Sequence, residues 1–171
     1  MAFKAYISVD MEGVSGLVHR DHVGRDGKDY EFSRRLMTLE ANASIEGVFD
    51  GGADEVVVND SHGTQRNLLP DFLDPRAQVI TGSPKPQSMM AGLDDSFGAV
   101  LCVGYHARAG SQGILDHTIS SQAVYDIKIN GDSQGEMGLN AGIAAYYGVP
   151  IVLLTGDSTA TAQAVELVPE I

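Results

Sequence analysis

The chain begins with an alternating segment of apolar and polar positions. Over residues 5–11 the alternation is typical of a β-strand, with successive side chains on opposite faces. Ile7, Val9 and Met11 would share one face, and the other would carry Tyr6, Ser8, Asp10 and Glu12. Two carboxylates are therefore expected on the same face, where this strand ends.

A polar stretch, residues 13–29, precedes a helix that is predicted over residues 30–49. Apolar residues recur there at helical spacing, and Gly51-Gly52 closes the segment. The predicted apolar stripe consists of Phe32, Leu36, Leu39 and Ala43. A second strand follows at residues 55–58. Strand, helix and strand at this spacing form a βαβ unit, whose strands are parallel and end at one edge of the sheet.

The rest of the chain continues the alternation of strands and helices. Further strands are predicted at residues 78–81 and 99–105, and residues 150–154 are expected to form one more buried strand. A β-rich segment, 120–129, reaches a turn at Asn130-Gly131, and helices are expected over residues 136–147 and from Asp157 or Ser158 to about residue 167. The predicted fold is α/β, with a largely parallel central sheet flanked by helices and a β-hairpin segment near residues 120–136.

Composition narrows the class of protein. The formal net charge is −12, from 23 acidic and 11 basic residues, so nucleic acid is not expected as a partner. The single cysteine, Cys102, lies in an apolar run and is expected to be a buried thiol in a reducing compartment. No stretch approaches the ~20 apolar residues of a membrane span, and a cytoplasmic, membrane-free protein is expected.

A set of acidic residues and histidines follows the predicted strand ends, where open α/β sheets bind their ligands. The candidates are Asp10, Glu12, His62, His106 and Glu136, with His117 nearby in a polar loop. Imidazole and carboxylate together suit zinc, and one carboxylate can bridge two ions ~3.5–4 Å apart. Three gathered carboxylates would repel one another without metal. The set therefore indicates metal-assisted hydrolysis.

Each candidate also has a purely structural interpretation. Asp10 and Glu12 could end a strand in solvent, and His62 follows a turn-rich sequence. His106 could be a hydrogen-bonded core histidine, and Glu136 could favour the first turn of a helix through the helix dipole. Phosphate-loop, dinucleotide-binding and serine-hydrolase motifs do not occur in the sequence.

Four short motifs, in this order, make the sequence similar to the zinc D-aminopeptidases associated with dipeptide-transport operons. They are Ser8-Val9-Asp10-Met11-Glu12-Gly13, Asn59-Asp60-Ser61-His62, Gly104-Tyr105-His106-Ala107 and Gly135-Glu136-Met137-Gly138-Leu139-Asn140-Ala141. The resemblance runs from Tyr6 to about Pro169. It implies that residues 1–171 form one α/β catalytic domain that ends before the family's C-terminal part.

The resemblance also implies roles for the candidate residues and a cofactor of two Zn²⁺ per chain. Asp10 would bridge both ions, Glu12 and His62 would complete one site, and His106 and Glu136 would complete the other. His117 would lie beside the metals without ligating them, as a nucleophile or proton shuttle.

The implied activity is that of a metallopeptidase, a hydrolase that releases N-terminal D-amino acids such as D-Ala from short peptides. Two alternatives stay open: a zinc-dependent amidase or dipeptidase acting on other small amides, and a non-catalytic metal-binding assembly module. The resemblance further suggests a ring-shaped homo-oligomer, a decamer of two stacked pentamers.

Overall fold

Five parallel strands form the central sheet in the computed structural model, which describes residues 2–171. In chain order they are β1 (Lys4–Val9), β2 (Glu55–Asp60), β3 (Gln78–Ile80), β4 (Ala99–Tyr105) and β7 (Ile151–Gly156). Their order across the sheet is β3-β2-β1-β4-β7. A separate antiparallel pair consists of β5 (Ile127–Ile129) and β6 (Asp132–Gln134). The predicted fold class is confirmed, including the hairpin.

Helices cover both faces of this sheet. They are α1 (Arg20–Val23), α2 (Tyr30–Asp50), a 3₁₀ helix (Ser88–Met90), α3 (Glu136–Tyr147) and α4 (Ser158–Leu167). On one face α2 packs its buried side chains Met37, Ala41 and Ile45 against β1, β2 and β4. The opposite face is covered by the 3₁₀ helix, α3 and α4. The molecule is thus a three-layer α/β/α structure.

The central strand β1 is buried on both faces, and its side chains alternate between them as predicted. Ile7, Val9 and Met11 belong to the hydrophobic cluster beneath α2, whereas Tyr6 belongs to the cluster on the α3 side. Burying an aliphatic side chain of this size stabilises a fold by roughly 1.5–3 kcal/mol. These residues fix β1 in the middle of the sheet, so the residues that follow it emerge at the centre of the molecule.

The chain reverses its direction of travel across the sheet between β1 and β4. It proceeds from β1 to β2 and β3 on one side and then returns to place β4 and β7 on the other. Such a switch point opens a crevice at the carboxyl ends of the two strands, which is where open α/β sheets bind ligands. The end of β1 is therefore the expected location of a site.

Two glycines let the segment after β1 approach β4 closely. A Cβ on Gly13 would lie 2.0 Å from the Tyr105 carbonyl oxygen, and one on Gly104 would lie 2.4 Å from the Asp10 carbonyl oxygen. The backbone amides of Asp10 and Gly13 donate to the carbonyls of Val103 and Gly104, both at 2.8 Å. No larger side chain fits at Gly13 or Gly104 without displacing this backbone.

Three details of the sequence prediction are wrong. The face of α2 that carries Phe32 and Leu39 is exposed, at 57% and 59%, because Met37, Ala41 and Ile45 offer a competing apolar stripe that packs on the sheet. The expected buried strand at 150–154 is the edge strand β7. Its Val152 is 49% exposed, because no further strand or helix covers that position.

The third error concerns residues 120–129, of which only β5 is a strand. The turn at Asn130-Gly131 is confirmed, with positive φ at both residues as a tight hairpin requires. Gly148 ends α3 in the left-handed conformation, and the Asp157 carboxylate caps α4 by accepting from the Ala160 amide at 2.7 Å. Among residues 2–171, no helix has the length and apolar character needed to cross a membrane.

Candidate metal centre

All six candidate side chains meet at the crevice between β1 and β4. Two follow β1, one follows β2, one follows β4, one opens α3, and one lies in the loop after β4. They are Asp10, Glu12, His62, His106, Glu136 and His117. The parallel sheet explains the convergence, because the carboxyl ends of its strands share one edge.

One half of the centre joins His62 to the two carboxylates that follow β1. Nδ1 of His62 lies 2.9 Å from Oε2 of Glu12 and 3.3 Å from Oδ1 of Asp10. All three side chains are largely shielded from solvent. One imidazole nitrogen and two carboxylate oxygens therefore face a common point, as ligands of one ion would.

The other half lies across Asp10. Nε2 of His106 is 3.5 Å from Oδ2 of Asp10 and 3.3 Å from Oε2 of Glu136. Asp10 thus presents one carboxylate oxygen to His62 and the other to His106. The two oxygens of this one carboxylate therefore contact two different histidines.

Backbone carbonyls orient all three imidazoles. Nε2 of His62 donates to the carbonyl of Val23 at 2.9 Å, which leaves Nδ1 facing the carboxylates. In His106 and His117 the opposite nitrogen is held: Nδ1 donates to the carbonyls of Ala107 at 2.9 Å and Leu115 at 3.0 Å. A neutral ring fixed in this way offers its remaining lone pair inward, and metal-binding histidines are held by such contacts.

Two buried polar atoms at the middle of the centre lack a hydrogen-bond partner among the described residues. They are Oδ2 of Asp10 and Nε2 of His106, which face each other. Leaving a buried polar atom unpaired costs about 1–3 kcal/mol, so such atoms call for an explanation. A cation accepting electron pairs from both atoms would satisfy them, and the nitrogen and oxygen donors here suit zinc. The residues fit a metal.

The pKa shifts of the residues in the centre also show that positive charge is favoured there. Burial alone would lower the pKa of His62, but the charges of Glu12 and Asp10 raise it well above its ordinary value. Burial would also lower the pKa of His106. The carboxylates of Glu136 and Asp10 outweigh this effect and raise the pKa of His106 to about 10. Although burial disfavours its charged form, the pKa of Asp10 is lowered by His62 and His106.

His117 stacks on His106, with ring centroids 3.9 Å apart and planes within 14°. Its Nε2 lies 3.7 Å from Oε1 of Glu136. This distance is too long for a hydrogen bond, so Nε2 of His117 lies beside the centre without a hydrogen bond to Glu136. Distance alone does not separate His117 from the ligands, since it groups closely with His106 and Glu136.

The loop that carries His117 has an unusual backbone. Leu115 and Ile119, which lie two residues to either side of His117, have positive φ values of 55° and 60°. Non-glycine residues rarely adopt this conformation, which costs roughly 1–3 kcal/mol each. Both participate in the centre, since the Leu115 carbonyl accepts from His117 and the Ile119 amide donates to Glu136 at 2.6 Å. The strained residues thus orient a candidate catalytic group and a candidate ligand.

Comparison with known proteins identifies the family. Residues 3–171 match the peptidase M55 family, described as D-aminopeptidase. The chain belongs to this family. It is 45% identical over 168 residues to the D-aminopeptidase of Bacillus subtilis (strain 168). Its fold matches the solved structure of the Zn-dependent D-aminopeptidase DppA from Bacillus subtilis, described as a self-compartmentalizing protease, with a TM-score of 0.97 and 45% identity.

The match covers the two partners unequally. It includes 98% of this chain but 61% of the curated D-aminopeptidase, and 99% of this chain but 61% of the solved DppA chain. The chain therefore spans about three-fifths of the length of these relatives. The resemblance to D-aminopeptidases inferred from the four motifs is confirmed at the level of the family.

Sequence patterns alone did not indicate the residues that support the centre from below. The Tyr105 hydroxyl contacts Ser8 Oγ at 2.6 Å and accepts from Asn140 Nδ2 at 2.9 Å, and Ser8 Oγ contacts Ser61 Oγ at 2.7 Å. This buried network ties β1, β4 and α3 together beneath the candidate ligands. Ser8, Ser61 and Asn140 lie inside the recognised motifs, which was the one signal available.

A second group fixes the loop that begins at His62. Asp60 accepts hydrogen bonds from the backbone and side-chain amides of Asn67 and from the Leu68 amide, and Asn67 Nδ2 also donates to the His62 carbonyl at 2.6 Å. Helix α1 was not predicted either. Its residue Val23 supplies the carbonyl that orients His62. Both features link residues far apart in sequence, so no local pattern indicates them.

Proposed function

We propose that this chain binds two zinc ions at the crevice between β1 and β4. Asp10 would bridge them, Glu12 and His62 would complete one site, and His106 and Glu136 would complete the other. One observation carries the proposal: Oδ2 of Asp10 and Nε2 of His106 are buried, unpartnered and directed at each other. The solved relative is a Zn-dependent D-aminopeptidase, which supports zinc as the ion.

The activity proposed for the chain is hydrolysis of short peptides that begin with a D-amino acid such as D-Ala. Family membership and the name of the curated relative support this substrate class. The site lies in a cavity of about 450 Å³ that opens to solvent, lined by Asp10, Glu12, His62, His117 and Glu136 among others. A cavity of this size lies within the range of small-molecule sites.

Two bound zinc ions would polarise the scissile carbonyl and offset the negative charge that develops on its oxygen. The chain's own contribution to proton transfer falls to His117. With Nδ1 engaged by the Leu115 carbonyl, its Nε2 is the free basic atom directed at the cavity. An imidazole can take the proton of an attacking water and return it to the departing peptide nitrogen. Glu136, 3.7 Å away, would stabilise the protonated ring between these events.

The substrate of an aminopeptidase also carries a free amino group. Two Zn²⁺ ions would contribute +4 against the −3 of Asp10, Glu12 and Glu136, so the loaded centre would favour the neutral amine, whose lone pair can bind an ion. The proposed substrate would therefore enter with its amino end toward the metal-binding residues.

We also propose that the protein is a homo-oligomer and that it is cytoplasmic. The solved relative is described as self-compartmentalizing, which supports a homo-oligomer, and a decamer of stacked pentamers is the form we propose. A reducing, cytoplasmic environment suits the buried free thiol of Cys102.

The function is tested by assaying the zinc-loaded chain on D-Ala-D-Ala and L-Ala-L-Ala side by side, with zinc content measured on the same sample. We expect two zinc ions per chain and release of D-Ala from the first peptide only. Equal cleavage of both peptides would replace the proposal by a general dipeptidase or amidase. Two bound zinc ions without cleavage of any peptide would leave a metal-binding module. Asp95→Asn, which alters an exposed carboxylate outside the cavity, is the matched control.

A further inference from the structure

One basic side chain lines the cavity of the candidate centre. Arg20, in α1, faces the same space as Glu12, His62 and His117, while residues 119–122 line another part of the wall. Among the residues that the structure describes, Arg20 is the one lysine or arginine lining this cavity. All its other charged or titratable lining groups are carboxylates and imidazoles. Arg20 thus provides a permanent positive charge in an otherwise acidic space.

The guanidinium of Arg20 has no partner within residues 2–171. Two other arginines form ion pairs: Arg34 contacts Glu31 at 3.1 Å, and Arg76 contacts Asp74 at 2.6 Å. Arg20 forms no ion pair or side-chain hydrogen bond of this kind, although Asp21 adjoins it in sequence. Its five N–H donors are therefore available to a molecule in the cavity.

Helix α1 is anchored to the centre, so Arg20 occupies a defined place beside it. The Asp21 amide donates to the His19 side chain at 3.1 Å, and the Gly24 amide donates to the Arg20 carbonyl at 2.8 Å. The Val23 carbonyl, one turn along the same helix, accepts from Nε2 of His62 at 2.9 Å. The backbone that carries Arg20 is thus joined by a hydrogen bond to a candidate metal ligand.

We propose that Arg20 binds the C-terminal carboxylate of a short peptide substrate, an inference that rests on the proposed peptidase function. When a dipeptide lies with its scissile bond at the centre, its carboxylate is about one residue away, roughly 3.5 Å further along the chain. An arginine can grip a carboxylate through two parallel N–H···O bonds. Arg20 therefore selects peptides whose free carboxylate lies close behind the scissile bond, which restricts the enzyme to very short substrates.

The test compares two non-hydrolysable ligands. The probes are the reduced-bond analogue of D-Ala-D-Ala, with CH₂–NH in place of the amide, and the same analogue with its C-terminus converted to a carboxamide. Binding of each to the zinc-loaded protein is measured by calorimetry for the wild type, Arg20→Gln and Arg20→Lys. Arg25→Gln is the matched control, since Arg25 is an exposed arginine of the adjoining loop that lines a different depression.

The wild type should bind the acid more tightly than the amide by roughly tenfold to a hundredfold, the range of a charge-assisted hydrogen bond. Arg20→Gln should bind the acid as weakly as the amide, Arg20→Lys should retain part of the preference, and Arg25→Gln should retain all of it. Equal binding of acid and amide by the wild type, or an equal loss for both in Arg20→Gln, overturns the proposal.

The two proposals fail in different ways. Preferential binding of the acid analogue that depends on Arg20, in a protein that does not cleave D-Ala-D-Ala, would support the carboxylate site and refute the peptidase. Cleavage of D-Ala-D-Ala and its amide with equal kcat/KM, unchanged in Arg20→Gln, would support the peptidase and refute the carboxylate site. Binding of neither analogue also refutes the carboxylate site, whatever the hydrolysis assay shows.

Discussion

Replacing Asp10 should remove both metal ions, whereas replacing Glu12 should remove one. The two carboxylates lie close in sequence and are similarly buried, but their contacts differ. Asp10 presents Oδ1 to His62 and Oδ2 to His106, whereas of these two histidines only His62 lies within ion-pairing distance of Glu12. Asp10→Asn exchanges one oxygen for an amide nitrogen that carries hydrogens and has no lone pair for a metal. Glu12→Gln makes the same exchange on one side of the centre.

The magnitude follows from linkage between binding and folding. Each ion that binds the folded chain alone stabilises it by about 2.7 kcal/mol at a free concentration a hundredfold above its Kd. For a chain of this length, 1 kcal/mol shifts the unfolding midpoint by roughly 2–4 °C. Zinc should therefore raise the midpoint of the wild type by roughly 10–20 °C, that of Glu12→Gln by about half as much, and that of Asp10→Asn hardly at all.

The assay is thermal unfolding with and without zinc, with elemental analysis of the loaded and desalted proteins. Asp95→Asn, which alters an exposed carboxylate outside the cavity, should behave as the wild type. A loss of one ion in both site variants would show that Asp10 does not bridge. No zinc in the loaded wild type would refute the metal centre itself.

Three further predictions follow from particular contacts. His117→Ala should keep both zinc ions but lower kcat on D-Ala-D-Ala by ~10²–10⁴-fold, the range of general acid–base help; loss of one ion would make His117 a ligand. Gly13→Ala should lower the unfolding midpoint in chemical denaturation, because its Cβ would meet the Tyr105 carbonyl, and an unchanged midpoint would contradict that contact. Burial lowers the pKa of Lys85 to about 8 against the opposing charge of Asp60. Since the unfolded chain holds this proton to higher pH, wild-type stability should rise relative to Lys85→Met between pH 8 and 10, as followed by thermal melting; a flat difference would refute the shift.

Local patterns predicted the elements well where one strong signal acted alone. The apolar run of β4 and the glycine that ends α3 gave correct boundaries, because burial on both faces and a left-handed cap each leave a distinct pattern. Helix α2 misled because apolar residues occur on two of its faces, and only the sheet decides that Met37 packs inward while Leu39 does not. Exposure of an edge strand is likewise a property of the sheet and not of its sequence.

The candidate site was also predicted only in part. The convergence of acidic residues and histidines was predictable, since parallel strands end at one edge. The motifs then suggested a family, which the comparisons confirm. The orientation of each ring was not predictable, because the carbonyls of Val23, Ala107 and Leu115 that set it depend on loop conformation. Arg20 was overlooked for a related reason, as α1 leaves no apolar periodicity in the sequence.

The crevice between β1 and β4 has a consequence for the order of events in folding. The proposed ligands begin at Asp10 and end at Glu136, and they converge when β4 has joined β1 and α3 has docked. An intermediate containing β1, α2 and β2 would hold Asp10, Glu12 and His62 but not the second half of the centre. Zinc would then bind late in folding, so it would slow unfolding far more than it speeds folding. Its dissociation would accompany the first separation of β1 from β4.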